Sequence, residues 1–179
     1  MKQMRWMAIG LIICATALAS DVPKGGTVPR SSPDKYSAHG EQNGVAVGAT
    51  MLTAGQARKV FFADVNRCCV VVEVALYPAK DSVAQVSLDD FTLRIAGQDI
   101  AAKPSTAKTA ALHSSQERDR VRPMLIAAME QEFSEKGLPQ GSTTAPVSGY
   151  VYFSLPKAKK GKYELEYTPQ GNKMVLALN

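Results

Sequence analysis

Two adjacent cysteines, Cys68 and Cys69, have the most chemistry to offer in this sequence, and they stand at the head of its most apolar internal run, "NRCCVVVEVALYP". The only other cysteine is Cys14, close to the N-terminus. Paired zinc cysteines are absent from the chain. If the N-terminus is removed, Cys68 and Cys69 are the last two cysteines, so no long-range internal disulfide can form. Neighbouring residues of a strand point to opposite faces, and joining their sulfurs would demand a strained local turn. Three readings stand, in this order: two small buried hydrophobes, an intermolecular bridge through an exposed thiol, and a strained redox pair. Strand alternation puts Cys68 on the face of Val70, Val72 and Val74, where it is expected to be buried. Cys69 shares the face of Glu73 and Tyr77, which makes it the candidate for exposure and for an intermolecular disulfide in a homodimer.

The other reactive side chains are sparse. His39 and His113 are the only histidines, which argues against a histidine-rich metal site. His113 stands beside Ser114 and Ser115, with Asp119 close behind, but neither serine lies in a Gly-x-Ser-x-Gly elbow. The simpler reading is that Ser114 caps a helix, in capping-box spacing with Glu117, while His113 is solvated. Asp89, Asp90 and Asp99 lack the alternating spacing of a calcium loop. Glu73, flanked by valines, would be costly to bury alone, and the sequence offers either an edge position or pairing with Arg94. Phosphate-binding glycine loops and nucleotide fingerprints are absent. No catalytic residue, metal or cofactor is assigned.

The first residues, "MKQMRWMAIGLIICATALAS", have Lys2 and Arg5, an apolar stretch from Trp6 to Cys14, and small residues at Ala17 and Ala19. This is the pattern of a cleaved export signal over residues 1–19. The apolar stretch is shorter than the roughly 20 residues a membrane-spanning helix needs. Lipidation at Cys14 is the alternative, with Ile13 against it because the residue before a lipidated cysteine is normally small. Removing Lys2 and Arg5 lowers the formal charge from +5 to +3. The densest basic run, "KAKKGK", has the composition of a solvated hairpin loop and no interleaved aromatic residue, so nucleic acid is not an expected partner.

The elements that must position these residues follow from periodicity. Residues 20–44 are rich in Pro, Gly, Ser and charge, and predict a flexible leader. The folded domain is then expected over 45–179. "VAVGATML" places Val45, Val47, Ala49 and Met51 on one face of a first strand, Gly55 marks a turn, and "ARKVFFADV" suggests a second strand. The cysteine run is apolar on both faces and reads as a strand covered on both sides, ending at Pro78. "AKDSVAQVSLDDF" reads as a polar connection. "FTLRIAGQDIAA" carries two more short strands about a turn at Gly97. Residues 103–111 show little periodicity, and the four-residue spacing of Val121, Leu125, Met129 and Phe133 predicts a helix from about Gln116 to Lys136, with Pro123 kinking it or marking its start. "VSGYVYFSLP", "KYELEYTP" and "NKMVLALN" each alternate and suggest a three-stranded antiparallel meander.

Seven or so short strands with turns between them predict a mainly β protein, an immunoglobulin-like antiparallel β-sandwich with a helical insertion at about 103–146. The segments "CCVVVEVALYPAKDSVAQVSLDDFTLRIAGQDI" and "GYVYFSLPKAKKGKYELEYT" resemble the telokin-like, immunoglobulin-fold secreted bacterial domains. Asp90, Phe91 and Leu93 fit the middle step of that pattern, and Gly149, Val151, Phe153 and Pro156 the late one. The resemblance implies a fold and an extracytoplasmic location, periplasmic or extracellular, and transfers no catalytic residue. The expected function is a non-enzymatic binding or structural module of the bacterial envelope, its partner an envelope component or protein. Alternatives are an envelope enzyme using His113, Ser114, Ser115 and Asp119, and a carrier of an apolar ligand between helix and sandwich at Leu125 and Phe133.

Overall fold

The computed structural model describes residues 25–115, 123–155 and 162–178. The expected export signal, Cys14, Glu117, Asp119, Val121 and all of "KAKKGK" except Lys162 lie outside the described residues. The described chain forms β1 (Ala38–Gln42), β2 (Val45–Met51), α1 (Ala54–Val60), β3 (Val70–Pro78), β4 (Ala84–Val86), β5 (Phe91–Ile95), β6 (Ala101–Ala102), β7 (Pro104–Ser105), α2 (Ala107–Ser115), α3 (Pro123–Lys136), β8 (Gly141–Thr143), β9 (Val147–Phe153), β10 (Tyr163–Tyr167) and β11 (Met174–Leu178). The protein is mainly β, with antiparallel sheets and three α-helices among the described residues.

A five-stranded sheet in the order β1-β2-β3-β9-β7 and a four-stranded sheet in the order β11-β10-β5-β6 enclose the principal core, and β4 pairs with β8 separately. Val47, Val72, Val74, Leu76, Val151 and Phe153 from the first sheet join Phe91, Leu93, Leu165, Tyr167 and Leu178 from the second in one buried cluster. The rings of Phe91 and Tyr167 stack with centroids 4.9 Å apart. Alternation in β5 and β10 shows only one face of each strand buried, as expected for an antiparallel sheet with a solvated side.

The central strand β3 differs, and it explains the two-sided apolar run. Its even residues Val70, Val72, Val74 and Leu76 enter the sandwich core, while Val71 enters a second cluster with Ala57, Phe61, Val65, Ala110, Ala111, Met129, Phe133 and Tyr152. The three helices supply most of that second layer. It covers the outer face of the five-stranded sheet at Val71 and Tyr152, so this part of β3 is buried on both sides.

Several expectations are corrected here. The leader assigned to residues 20–44 contains ordered structure from Gly25 onward. Ala38–Gln42 pair with Val45–Ala49 as a hairpin across Asn43 and Gly44, both at positive φ, and Tyr36 is buried. Low hydrophobicity hid this segment because its pairing is made by backbone and by one aromatic anchor. "ARKVFFADV" is no strand, and its first four residues close helix α1: Thr53 accepts from the Gln56 backbone while the Gln56 side chain accepts from the Thr53 backbone. That capping box fixes a helix start where Gly55 had suggested a turn. The polar connection after Pro78 contains β4, whose Ala84 and Val86 are buried, and the aperiodic stretch after Lys103 contains β7 and α2. Helix α3 spans Pro123–Lys136 in the described residues, and the expected stretch from Gln116 to residue 122 lies outside them.

The expected C-terminal meander is also corrected. β10 pairs with β11 and with β5, whereas β9 pairs with β3 and β7 in the opposite sheet. β9 and β10 therefore lie in opposite layers of the sandwich. Alternation reports which face of a strand is buried and is silent on which strand lies beside it. Gly149 has a separate role. A Cβ there would lie 2.5 Å from the backbone of Gly137 and Leu138, which crosses over it on leaving α3.

Candidate functional site

The site begins with α1. Its capping box starts the helix at Ala54, and Ala57 and Phe61 turn inward to the second cluster, leaving Arg58 exposed on the outer side. The chain then makes a short 3-10 turn, Val65–Arg67, anchored by the fully buried Val65. The carbonyl of Val65 accepts from the backbone N–H groups of both Cys68 (3.2 Å) and Cys69 (3.1 Å). Both cysteines therefore lie in the turn before β3, and their sulfurs are joined in a disulfide.

This corrects the leading readings of the pair. Strand alternation does not apply to Cys68, which precedes the strand. The exposures are the reverse of those expected: Cys69 is only 2% exposed and belongs to the second cluster, while Cys68 is half-buried at its edge. A Cys69 sulfur bonded to Cys68 has no thiol left for a bridge between chains.

The disulfide borders an open groove of about 410 Å³, whose walls include Ala54, Arg58, Asp64, Asn66, Arg67 and Leu155. Asn66 donates its amide to Asp64 Oδ1 (3.2 Å) and to the Ala54 carbonyl (3.3 Å), tying the turn to the start of α1. Arg67 Nε lies 3.7 Å from Asp64 Oδ2. Arg58, Arg67 and Asp64 are the charged groups of the described wall. On the far side of the disulfide, Ser114 of α2 donates its hydroxyl to Cys68 Sγ (3.2 Å), and the carbonyl oxygens of Val65 and Ala110 lie 3.4 and 3.5 Å from the same sulfur.

The other candidate residues are dispersed. Ser114 lies in the last turn of α2, not at a helix N-terminus, so it is no N-cap. Ser115 donates to the Leu112 carbonyl (2.6 Å), and His113 is exposed beside two buried serines. Their hydroxyls are committed to Cys68 and to the helix backbone, and no catalytic arrangement with His113 is formed among the described residues. His39 is exposed on β1. Phe133 is fully buried between the rings of Phe61 and Tyr152, and the space beside it is about 190 Å³. Small-molecule pockets are usually larger, at roughly 300 to 1,000 Å³.

Glu73 finds a partner that sequence reasoning missed. Its carboxylate meets Arg30 at 2.6 Å, and Arg94 pairs instead with Glu166 at 2.9 Å. Arg30 also lies over the Tyr36 ring at 4.3 Å, and its carbonyl accepts from the Tyr77 hydroxyl. Burial raises the Tyr77 phenol well above its ordinary value, with Tyr36 adding to the effect. The segment before β1 is thus strapped across the outer face of the sheet. The one signal in the sequence was the cost of leaving Glu73 unpaired among valines. Its partner lies in the stretch read as leader.

No protein-family model and no curated protein sequence matches the chain. Among solved structures it is similar to the crystal structure of a "putative lipoprotein" from Bacillus subtilis, with 18% sequence identity and a TM-score of 0.43 over 75% of this chain. The chain spans 35% of that protein's length. Among the described residues, no helix is long and apolar enough to cross a membrane.

Proposed function

We propose that this chain is an exported protein of the bacterial envelope, and that its sandwich, of the telokin-like immunoglobulin kind, serves as a non-enzymatic binding module with the groove beside Cys68 as its contact surface. The disulfide carries the reading. A formed bond between Cys68 and Cys69 belongs to an oxidising compartment, and the charged, apolar and small-residue blocks of residues 1–19 are what would deliver the chain there. The groove volume, about 410 Å³, suits a small polar ligand, and the exposed Arg58 in its wall favours an anionic group.

The test is to express the full chain with its own N-terminus in a bacterial host, fractionate the cells, and measure intact mass without reductant. A periplasmic or secreted protein starting at Ser20, lighter than the dithiol form by two hydrogens, is the expected result. A lipidated mass starting at Cys14 would keep the envelope location and replace the soluble form by a tethered one. An uncleaved cytoplasmic chain with free thiols would overturn the proposal, as would a disulfide-linked dimer at this site. The binding half is tested by thermal shift against a panel of small carboxylates, phosphates and acidic sugars. A stabilising hit abolished by Arg58→Glu supports it, and a hit insensitive to that change moves the site elsewhere.

A further inference from the structure

We propose that the Cys68–Cys69 bond is a thiol–disulfide exchange site, opened in the folded protein by an external dithiol that attacks the sulfur of Cys68. This does not depend on the groove holding a ligand.

A disulfide stabilises a fold chiefly by shortening the loops of the unfolded chain, and the effect falls with loop length. Adjacent residues close the smallest loop there is. Holding the fold together is therefore a poor reason for this bond, especially as Cys69 and Val65 are already packed in a buried cluster. Its placement suits chemistry better. Cys68 is the less buried member and borders the groove, and the exposed Arg58 in the groove wall favours the approach of a thiolate.

The surroundings also serve the reduced state. A sulfur in a disulfide has no proton to donate, so the carbonyls of Val65 and Ala110, at 3.4 and 3.5 Å, are only contacts in the oxidised form. Once Cys68 carries a proton, those oxygens become its acceptors, while Ser114 still donates to it. Cys69 as a neutral thiol would behave as a small hydrophobe among Phe61, Val71 and Ala110.

In the first step a thiolate of the external dithiol attacks Cys68 Sγ, a mixed disulfide forms, the Cys68–Cys69 bond breaks, and its electron pair leaves on Cys69 Sγ, which takes a proton. In the second step the other thiol of the reductant, after losing its proton, attacks its own sulfur in the mixed disulfide. Cys68 is released and protonated. The protein gains two electrons and two protons, and the external dithiol becomes a disulfide.

The test uses the full chain as secreted. Protein without urea is incubated with dithiothreitol, quenched in acid, and alkylated in denaturant for intact mass. Two adducts, with far-UV circular dichroism unchanged and a thermal midpoint lowered by no more than roughly 4 °C, are expected. Adducts that appear only when urea is present during reduction would overturn the proposal, as would two free thiols in protein never reduced. Capture of glutathione disulfide by folded single-cysteine variants then assigns the attacked sulfur. Cys69→Ala, which retains Cys68, is expected to form the mixed disulfide at least about tenfold faster than Cys68→Ala. Equal rates, or the reverse order, would overturn the assignment to Cys68.

Discussion

Phe133 offers the sharpest test of the helical layer. It is fully buried, its ring meets Phe61 edge-on at 5.4 Å and lies tilted on Tyr152 at 5.2 Å, and with Met129 it is the buried footing of α3. Replacing it by alanine removes the ring from a close-packed site and leaves a cavity, which costs about 3 to 5 kcal/mol in comparable cores. The lost ring pairs, at roughly 0.5 to 1.5 kcal/mol each, push the value toward the upper half of that range. About 4 kcal/mol is expected, a large share of a stability of roughly 5 to 15 kcal/mol. For a chain of this size that lowers the thermal midpoint by roughly 8 to 16 °C. Phe133→Leu keeps much of the volume and should cost about 1.5 kcal/mol or less. Urea and thermal unfolding followed by far-UV circular dichroism read both variants. A loss below about 1 kcal/mol for Phe133→Ala would refute the docking of α3 on the sheet, because a ring at this position cannot be removed cheaply if it is packed as described.

Three further outcomes are expected. Gly149→Ala drives a methyl group to 2.5 Å from the backbone of Gly137 and Leu138, so the crossing chain must shift and stability should fall by about 1 to 3 kcal/mol; an unchanged urea midpoint would sink this reading. Glu73→Ala removes the carboxylate partner of Arg30, and should cost about 1 kcal/mol and speed proteolysis within residues 25–37; equal cleavage rates would show that the ion pair does not hold the strap. Raised pH should unfold the protein through its tyrosines. Burial raises the phenols of Tyr77, Tyr150 and Tyr152, and raises Tyr167 to about 12. The unfolded chain releases these protons near pH 10 while the folded chain retains them, so this contribution to stability is intact below pH 10 and is lost as pH rises through and beyond 12. Phenolate absorbance should then rise together with loss of structure. Titration of these four groups at the ordinary pH in still-folded protein would refute the assignment.

The cysteine pair shows where sequence reasoning stopped. Strand alternation does not reach Cys68 and Cys69, which belong to the turn after Val65, and in that turn their exposures are the reverse of those alternation predicts and their sulfurs can meet. The turn is set by the buried Val65 and by its carbonyl accepting two N–H groups, and no local pattern in "DVNRCC" announces either. The start of α1 was legible, by contrast. Thr53 and Gln56 carry the capping-box spacing, with Gly55 between them. The strap had one visible mark, an acidic residue among valines, but its partner Arg30 lies 43 residues earlier in a stretch with almost nothing apolar to bury.

What the sequence determined by itself was local and periodic. Alternation in "VAVGATML", "FTLRI", "KYELEY" and "KMVLAL" dictates strands with one apolar face, and the two-sided run after Cys69 dictates a strand that needs cover on both sides, because a residue's neighbours on the pleat depend only on its own chain. Tertiary structure alone decided what supplies that cover, which strands became neighbours, and that two adjacent sulfurs meet at the rim of a groove. Those outcomes rest on contacts between residues far apart in the chain: Phe61 with Phe133, Glu73 with Arg30, Cys68 with Ser114, and Gly149 with the crossing of Leu138. Such contacts are chosen by shape and by the pairing of buried polar groups across the whole fold, and hydrophobic periodicity does not encode them.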